Sequence, residues 1–252
     1  MRQSTSTVLI TGVTDGIGRA LAEHYVAAKA QVIGVGRRPS PPNGLLRSGA
    51  YCQVDLARPE AAAAIADFLD ERGISRLDVL IHNAAVGWYG PIAEQSAAAI
   101  AEALAVNLRI PIALTHALLP RVTAAHGVVA FVSSVHAALP TPDFAVYTAT
   151  KAALDGFARN LRIEQAGVVD VLSLWAGPTR TGMHAKSGVP AGRLKVERFA
   201  TPEATAAGIA AAIARRRCAS IGAGNGLLHW AGGHLEAWLD RAMIGAARWR
   251  AG

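Results

Sequence analysis

Compact apolar runs recur along this chain, separated by longer stretches of mixed character. TVLIT at 7–11, AQVIGVG at 30–36, LDVLIHNA at 77–84, GVVAFVSS at 127–134 and VVDVLSLWA at 168–176 have few polar breaks. Runs of that length and continuity read as strands buried on both faces. Between them, 17–29, 59–72, 95–124 and 147–166 are rich in Ala, Leu and charge and read as helices. Strand alternating with helix predicts βαβ units, and so an α/β fold with a doubly wound parallel sheet covered on both faces. No linker or internal repeat divides the chain, so 1–252 is expected to form a single domain.

Two segments break this rhythm. RRPSPPNG at 37–44 is a turn-rich loop that neither helix nor strand can continue through. Residues 182–200 mix Gly, Pro and charge just after a strand, where α/β sheets carry their ligand loops, and are expected to form a substrate loop. The tail 227–252 spaces apolar residues helically and carries Trp230, Trp238 and Trp249; packing on the domain or contact with another subunit is expected, with a membrane surface left open.

Composition narrows the class. Apolar residues make up 52% and charged residues 17%, which fits a packed globule. No uninterrupted apolar run reaches the roughly 18 residues that span a bilayer. The polar start runs straight into the first strand, leaving no room for a signal peptide. Cys52 and Cys218 lie far apart and form no CxxC pair, so the expected compartment is the reducing cytoplasm. The eight histidines show no metal-ligand spacing, and no metal is implied. The net charge of +7 is uneven: basic and acidic residues balance at 14 each through Thr179, then run 11 to 4. Without a helix-turn-helix or zinc-finger signature, this excess reads as a solvated basic face and not as a nucleic-acid surface.

The first strand ends in TGVTDGIG, with Gly12, Gly16 and Gly18 leading into a helix. Such a turn needs positive φ, and a phosphate lying against backbone needs residues without side chains. The helix N-terminus then offers free N–H groups and the positive end of a dipole to a pyrophosphate. The second strand ends in Gly36-Arg37-Arg38. NAD sites commonly place an acid there for the ribose 2′-hydroxyl. Two guanidiniums instead suit a 2′-phosphate, so NADP(H) is favoured over NAD(H). Tyr147 and Lys151, four apart, share a helix face. A neighbouring ammonium would lower the tyrosine pKa from about 10 toward the working range.

With these residues the chain resembles the short-chain dehydrogenase/reductase family, in its single-domain branch. TGVTDGIG is similar to the family's TGxxxGIG, and HNAAV at 82–86 to its NNAG motif with Asn83 matching. Asn107, Ser134, Tyr147 and Lys151 match its catalytic tetrad, and Asp55 its adenine-contacting aspartate. The resemblance, over about 7–210, implies a Rossmann-like fold and hydride transfer between a nicotinamide cofactor and a small carbonyl or alcohol substrate. It implies that Tyr147 is the acid/base and that Ser134 binds the reacting oxygen. Lys151 would hold the nicotinamide ribose, and Asn107 a water that relays protons. Cofactor contacts are implied for Gly12, Thr14, Asp15, Gly16, Ile17, Gly18, Arg37, Arg38, Asp55, Leu56, Asn83, Ala84, Tyr147, Lys151, Gly177, Thr179 and Thr181. Homodimers or homotetramers, paired through 95–124 and 147–166, are implied as well.

Departures are His82 and Ala85 in place of Asn and Gly, and Ala176-Gly177 in place of Pro-Gly. The first should tighten the cofactor fit; the second should loosen the loop over the nicotinamide. Trp88, Tyr89, His136, Asp143 and His184 are further candidates for the substrate pocket. Two other readings compete: a dinucleotide sensor or scaffold without chemistry, and an epimerase or dehydratase of the family's extended branch. The intact Tyr-Lys pair argues against the sensor. The spacing of the glycine turn and the lack of a large C-terminal substrate domain argue against the extended branch.

Overall fold

Seven strands form one parallel sheet in the order β3-β2-β1-β4-β5-β6-β7, in a computed structural model that describes residues 5–41 and 44–234. The strands are β1 (Thr7–Thr11), β2 (Gln31–Gly36), β3 (Tyr51–Gln53), β4 (Val79–His82), β5 (Val128–Ser134), β6 (Asp170–Ala176) and β7 (Ala219–Ile221). The helices are α1 (Gly16–Ala27), α2 (Ala61–Asp70), α3 (Ala97–Leu104), α4 (Ile110–Ala124), α5 (Ala145–Glu164), α6 (Met183–Lys186), α7 (Pro202–Ala214) and α8 (Asn225–His234). The chain winds outward from β1 through β2 to β3, then returns to the other side of β1 with β4. That reversal opens a crevice at the carboxyl ends of β1 and β4, where doubly wound sheets bind ligands.

Alternation within each strand divides the core. Leu9, Leu80, Val129 and Phe131 face α2, α4 and α5 on one side of the sheet. Val8, Ile10, Val79, Ile81 and Ala130 face α1 and α7 on the other. Because both faces are covered, the strands need apolar residues at every position, which is why their sequences are continuous runs.

The stretch from α3 to α4 is one helix by length and composition, and is apolar enough to cross a bilayer. Here it is a core helix, with Leu114, Leu118 and Val122 fully buried under the sheet. Its middle, Ala105–Arg109, widens into a π turn in which Ile110 N–H reaches back to the Ala105 carbonyl. Pro111, which lacks an N–H for the Asn107 carbonyl four residues back, accounts for the change of hydrogen bonding at this point.

Every expected strand and helix is present, with ends shifted by a few residues at most. The apolar runs did not single out β3 or β7, because a three-residue strand leaves no run to read. Of the tail, residues 227–234 lie in α8, which packs on β6, β7 and the turn after β5. The rest of the tail, with Trp238 and Trp249, lies outside the described residues, as do 42–43 of the 37–44 loop.

His82 ends β4 in the core. Its Nε2 lies 2.8 Å from Thr115 Oγ1, and its ring stacks on Phe131 at 4.9 Å. Burial, aided by the Lys151 charge, lowers its pKa from 6.5 to about 3. Below pH 6.5 the unfolded chain therefore takes up a proton at this position that the folded chain refuses. Stability should fall as pH drops from about 6.5 toward about 3. Thermal melts across that range should show His82→Asn less acid-sensitive than the parent; equal slopes would mean that His82 does not contribute.

Candidate active site

The carboxyl ends of β1 and β4 are laced together. Thr11 Oγ1 accepts the N–H groups of Asn83 and Ala84 at 3.0 and 3.1 Å. Asn83 Nδ2 returns a hydrogen bond to the Thr11 carbonyl at 2.9 Å. The glycine turn passes beneath, with Gly12 at φ +76° and Gly16 at φ +51°. A Cβ at Gly18 would lie 2.1 Å from the Gly12 carbonyl oxygen and 2.4 Å from Asn83 Nδ2, so no side chain fits there. Above the turn lies a cleft of about 530 Å³ whose wall includes Gly12, Thr14, Asp15, Gly16, Ile17, Gly18, Arg37, Arg38, Asp55, Leu56, Asn83, Ala84 and Thr181. A cradle of backbone at a helix N-terminus, with no room for side chains, fits a dinucleotide pyrophosphate.

Local contacts shape this cleft. Asp15 caps α1 through the Gly16 N–H at 2.8 Å and forms an ion pair with Lys186 of α6, which holds its carboxyl below the usual range. Asp55 accepts from Ala57 N–H at 3.0 Å, turning the chain after β3. At the far end, Arg38 donates to the Thr14 carbonyl at 3.2 Å, while Arg37 lies 3.4 Å from Glu102 of α3. The β2 end itself carries no acid, but the fold brings Glu102 to it, which sequence spacing could not show. Lys186 was overlooked for the same reason, since it lies 171 residues from Asp15.

The cleft opens into a second cavity of about 400 Å³, and Ile17, Asn83, Ala85, Thr181 and Met183 line both. Ser134, Tyr147, Lys151, Gly177 and Thr179 line this second space. Ser134 ends β5, and its Oγ accepts from His136 N–H at 3.2 Å. Lys151 is buried and donates to the Val132 carbonyl at 2.8 Å. Burial lowers its pKa to about 8, opposed by Asp155 one turn further along α5. Asp155 is held in turn by Trp175 Nε1 at 2.8 Å. Its spacing from Lys151 was legible as a helix-face pair, though its partner on β6 was not.

Two expectations change. The Lys151 ammonium does not contact the Tyr147 hydroxyl directly: Nζ is directed at Val132 and lies 5.9 Å from the phenol ring centre. Burial raises the Tyr147 pKa, and the Ser134 hydroxyl opposes that rise. Nor does the Ala176-Gly177 pair leave the following loop loose. Arg180 N–H and Ala200 N–H cross-link it at 2.8 and 3.2 Å, and Thr179 Oγ1 meets Thr205 Oγ1 at 3.1 Å. Asn225 fills the space beside Gly177, where a Cβ would lie 2.0 Å from its Nδ2.

Asn107 sits at the π turn, fully buried. Its carboxamide spans the Val86 backbone, accepting from N–H and donating to C=O, each at 2.8 Å, and also donates to Thr150 Oγ1 at 3.1 Å. The side chain thus ties the loop after β4 to α5. Among the remaining candidates, His136 and His184 line the second cavity, and Trp88 the first. Tyr89 packs edge-on against Phe144 at 5.5 Å. Asp143, at φ +70°, turns the chain ahead of α5, and neither cavity includes it or Tyr89.

A family model described as short chain dehydrogenase matches residues 6–190. Dehydrogenase/reductase SDR family member 7B of Mus musculus is 33% identical over 172 residues, 63% of this chain and 53% of its own length. L-xylulose reductase of Bos taurus is 31% identical over 169 residues, 65% of this chain and 67% of its own. The chain spans about half the length of the first of these and of several similar relatives. A short-chain dehydrogenase from Sphingobium yanoikuyae, solved in complex with NADPH, has a TM-score of 0.77 at 25% identity, covering 96% of this chain and 94% of that one. The matched segment carries the glycine turn together with Asn107, Ser134, Tyr147 and Lys151, and the chain belongs to the short-chain dehydrogenase/reductase family.

Proposed function

We propose that the protein is an NADP(H)-dependent oxidoreductase that interconverts a carbonyl compound and an alcohol, with Tyr147 as general acid and base. The observation that carries this reading is the meeting of Ser134, Tyr147 and Lys151 in a cavity that opens directly into the glycine-floored cleft. The backbone around Gly12, Gly16 and Gly18 would hold the pyrophosphate, Asp55 and Leu56 the adenine end, and Thr179 and Thr181 the nicotinamide end. A nicotinamide dinucleotide bound there supplies or takes up the hydride.

The chain's own residues manage the oxygen and its proton. Ser134 Oγ accepts from His136 N–H, and its hydroxyl hydrogen would turn to the reacting oxygen when substrate is bound. That hydrogen bond stabilises charge developing on the oxygen. Tyr147, kept protonated by its raised pKa, holds the proton that a carbonyl oxygen needs on reduction. Lys151, held by the Val132 carbonyl and the field of Asp155, keeps a positive charge at the wall of the same cavity. The geometry of Asn107 supports a positioning part, since it holds the Val86 loop against the helix that bears Tyr147 and Lys151.

Tyr147→Phe should lower kcat by about a hundredfold or more while leaving dinucleotide affinity nearly unchanged. Steady-state turnover with a fluorescence titration of NADPH checks this, and full activity in the variant would defeat the assigned role. The arginine pair supports the 2′-phosphate preference, although Glu102 competes for Arg37. Arg37→Asp should weaken NADPH binding about tenfold or more, roughly 1.4 kcal/mol, and change NADH binding little; equal loss for both would show that Arg37 does not read the phosphate. Self-association as a dimer or tetramer is supported by Leu104 and Ile163, 45% and 70% exposed on α3 and α5. Light scattering at micromolar concentration should report more than one copy, and a monomer alone would refute it.

A further inference from the structure

The second cavity is mostly apolar, with Val132, Phe144, Leu194 and Phe199 among its walls. Besides the groups assigned to the reaction, it contains two imidazoles, His136 and His184. His136 lies on the turn directly after Ser134, and the two line the same cavity.

The hydrogen bonds around His136 determine what its ring offers. Nδ1 lies 2.8 Å from Thr141 Oγ1. Thr141 has a single hydroxyl hydrogen, and its oxygen also lies 3.1 Å from the Leu139 carbonyl, which can only accept; giving the hydrogen to Leu139 is the assignment that satisfies both contacts. The Thr141 oxygen can then only accept from the ring, so Nδ1 carries the hydrogen. The Nε2 of the neutral ring is left with a lone pair, and it makes no hydrogen bond among the described residues. Burial and the nearby His184 both lower the His136 pKa, which keeps the ring neutral at pH 7. His184 packs against Phe199 at 5.4 Å between ring centres, and its Nδ1 is buried without a partner.

An acceptor left open on a residue that lines a mostly apolar cavity is best matched by a ligand that brings a donor. A carboxylate has none to give. An ammonium would enter a space whose wall holds no carboxylate and one buried cation, Lys151. A hydroxyl satisfies the site at no charge. The geometry points to an uncharged hydroxy-carbonyl compound, or the matching diol in the reverse direction, as the substrate class, its hydroxyl held by His136 Nε2 and its apolar body against Phe144 and Phe199. This assignment rests on the oxidoreductase reading and specifies the substrate of the same site. His136 becomes its specificity-determining residue, and Thr141 the positioning residue that holds the ring in the accepting tautomer.

The test uses the full chain with NADPH and, separately, NADH, so that cofactor preference cannot mask the result. The substrates are matched sets sharing one carbon skeleton: a ketone, its hydroxyketones with the hydroxyl at successive positions, and the corresponding oxo acid. The best hydroxyketone should exceed the parent ketone in kcat/KM by about tenfold or more, with the oxo acid lowest. In His136→Phe that ratio should fall to about one, and His136→Gln, which keeps an acceptor, should restore part of it. Thr141→Val should reduce the ratio through KM more than kcat, and it serves as the second variant if the Phe substitution disturbs folding. A parent enzyme that turns over ketone and hydroxyketone equally, or that prefers the oxo acid, overturns the substrate assignment and leaves the oxidoreductase reading standing. An unchanged ratio in His136→Phe does the same. Failure to reduce any carbonyl or oxidise any alcohol with either dinucleotide overturns both.

Discussion

The structure depends on how the ends of β1 and β4 are joined. A parallel sheet that reverses its winding direction leaves those two ends splayed, and the crevice between them is useful only if its walls are rigid. Thr11 and Asn83 supply that rigidity through side-chain to backbone hydrogen bonds in both directions. The arrangement works because glycine stands where the turn meets it: a Cβ on Gly18 would lie 2.1 Å from the Gly12 carbonyl oxygen and 2.4 Å from Asn83 Nδ2. The helix N-terminus is thereby held against the crevice. A single constraint, the absence of side chains under the Asn83 amide, sets both the path of the chain and the place of the cleft.

The second half of the site hangs from this one through the loop after β4. Asn107 grips the backbone of Val86 in that loop and also donates to Thr150, which neighbours Lys151. The π turn permits this by widening the helix where Pro111 has no N–H to offer. Buried polar groups are costly unless they are paired. Here every polar atom of the Asn107 carboxamide has a partner, so the buried amide supports the site without an unmet bond. Lys151 is treated similarly, its charge directed at the Val132 carbonyl and set against Asp155. The result is a tyrosine that stays protonated and a lysine close to titration, within one helix turn of each other.

Around that pair the cavity separates two kinds of recognition. Its apolar walls take the body of a ligand without direction, whereas Ser134 and His136, two residues apart, bring polar groups to the same wall. The loop that completes the wall owes its order to a short bridge between Thr179 and Ala200 and to Asn225 packed against Gly177. The basic C-terminal third therefore contributes walls and braces to the site as well as surface charge.

Much of this was legible in the sequence. Continuous apolar runs separated by helical stretches determined a parallel sheet, because only strands covered on both faces need apolar residues throughout. The glycine turn and the Tyr147–Lys151 pair were recognisable because their chemistry requires those residue types at fixed local spacings, and Ser134 through the resemblance to the family. The pairs that set electrostatics and specificity were not legible. Glu102 reaches Arg37, Lys186 reaches Asp15, and Trp175 reaches Asp155 only after the chain has folded. The direction of the Lys151 ammonium was equally hidden, for helix spacing puts it on the tyrosine's face but the Val132 carbonyl decides where it points. Spacing along the chain determines which groups share an element; the packing of distant elements decides which of them meet, and so what charge and which lone pair each presents to the site.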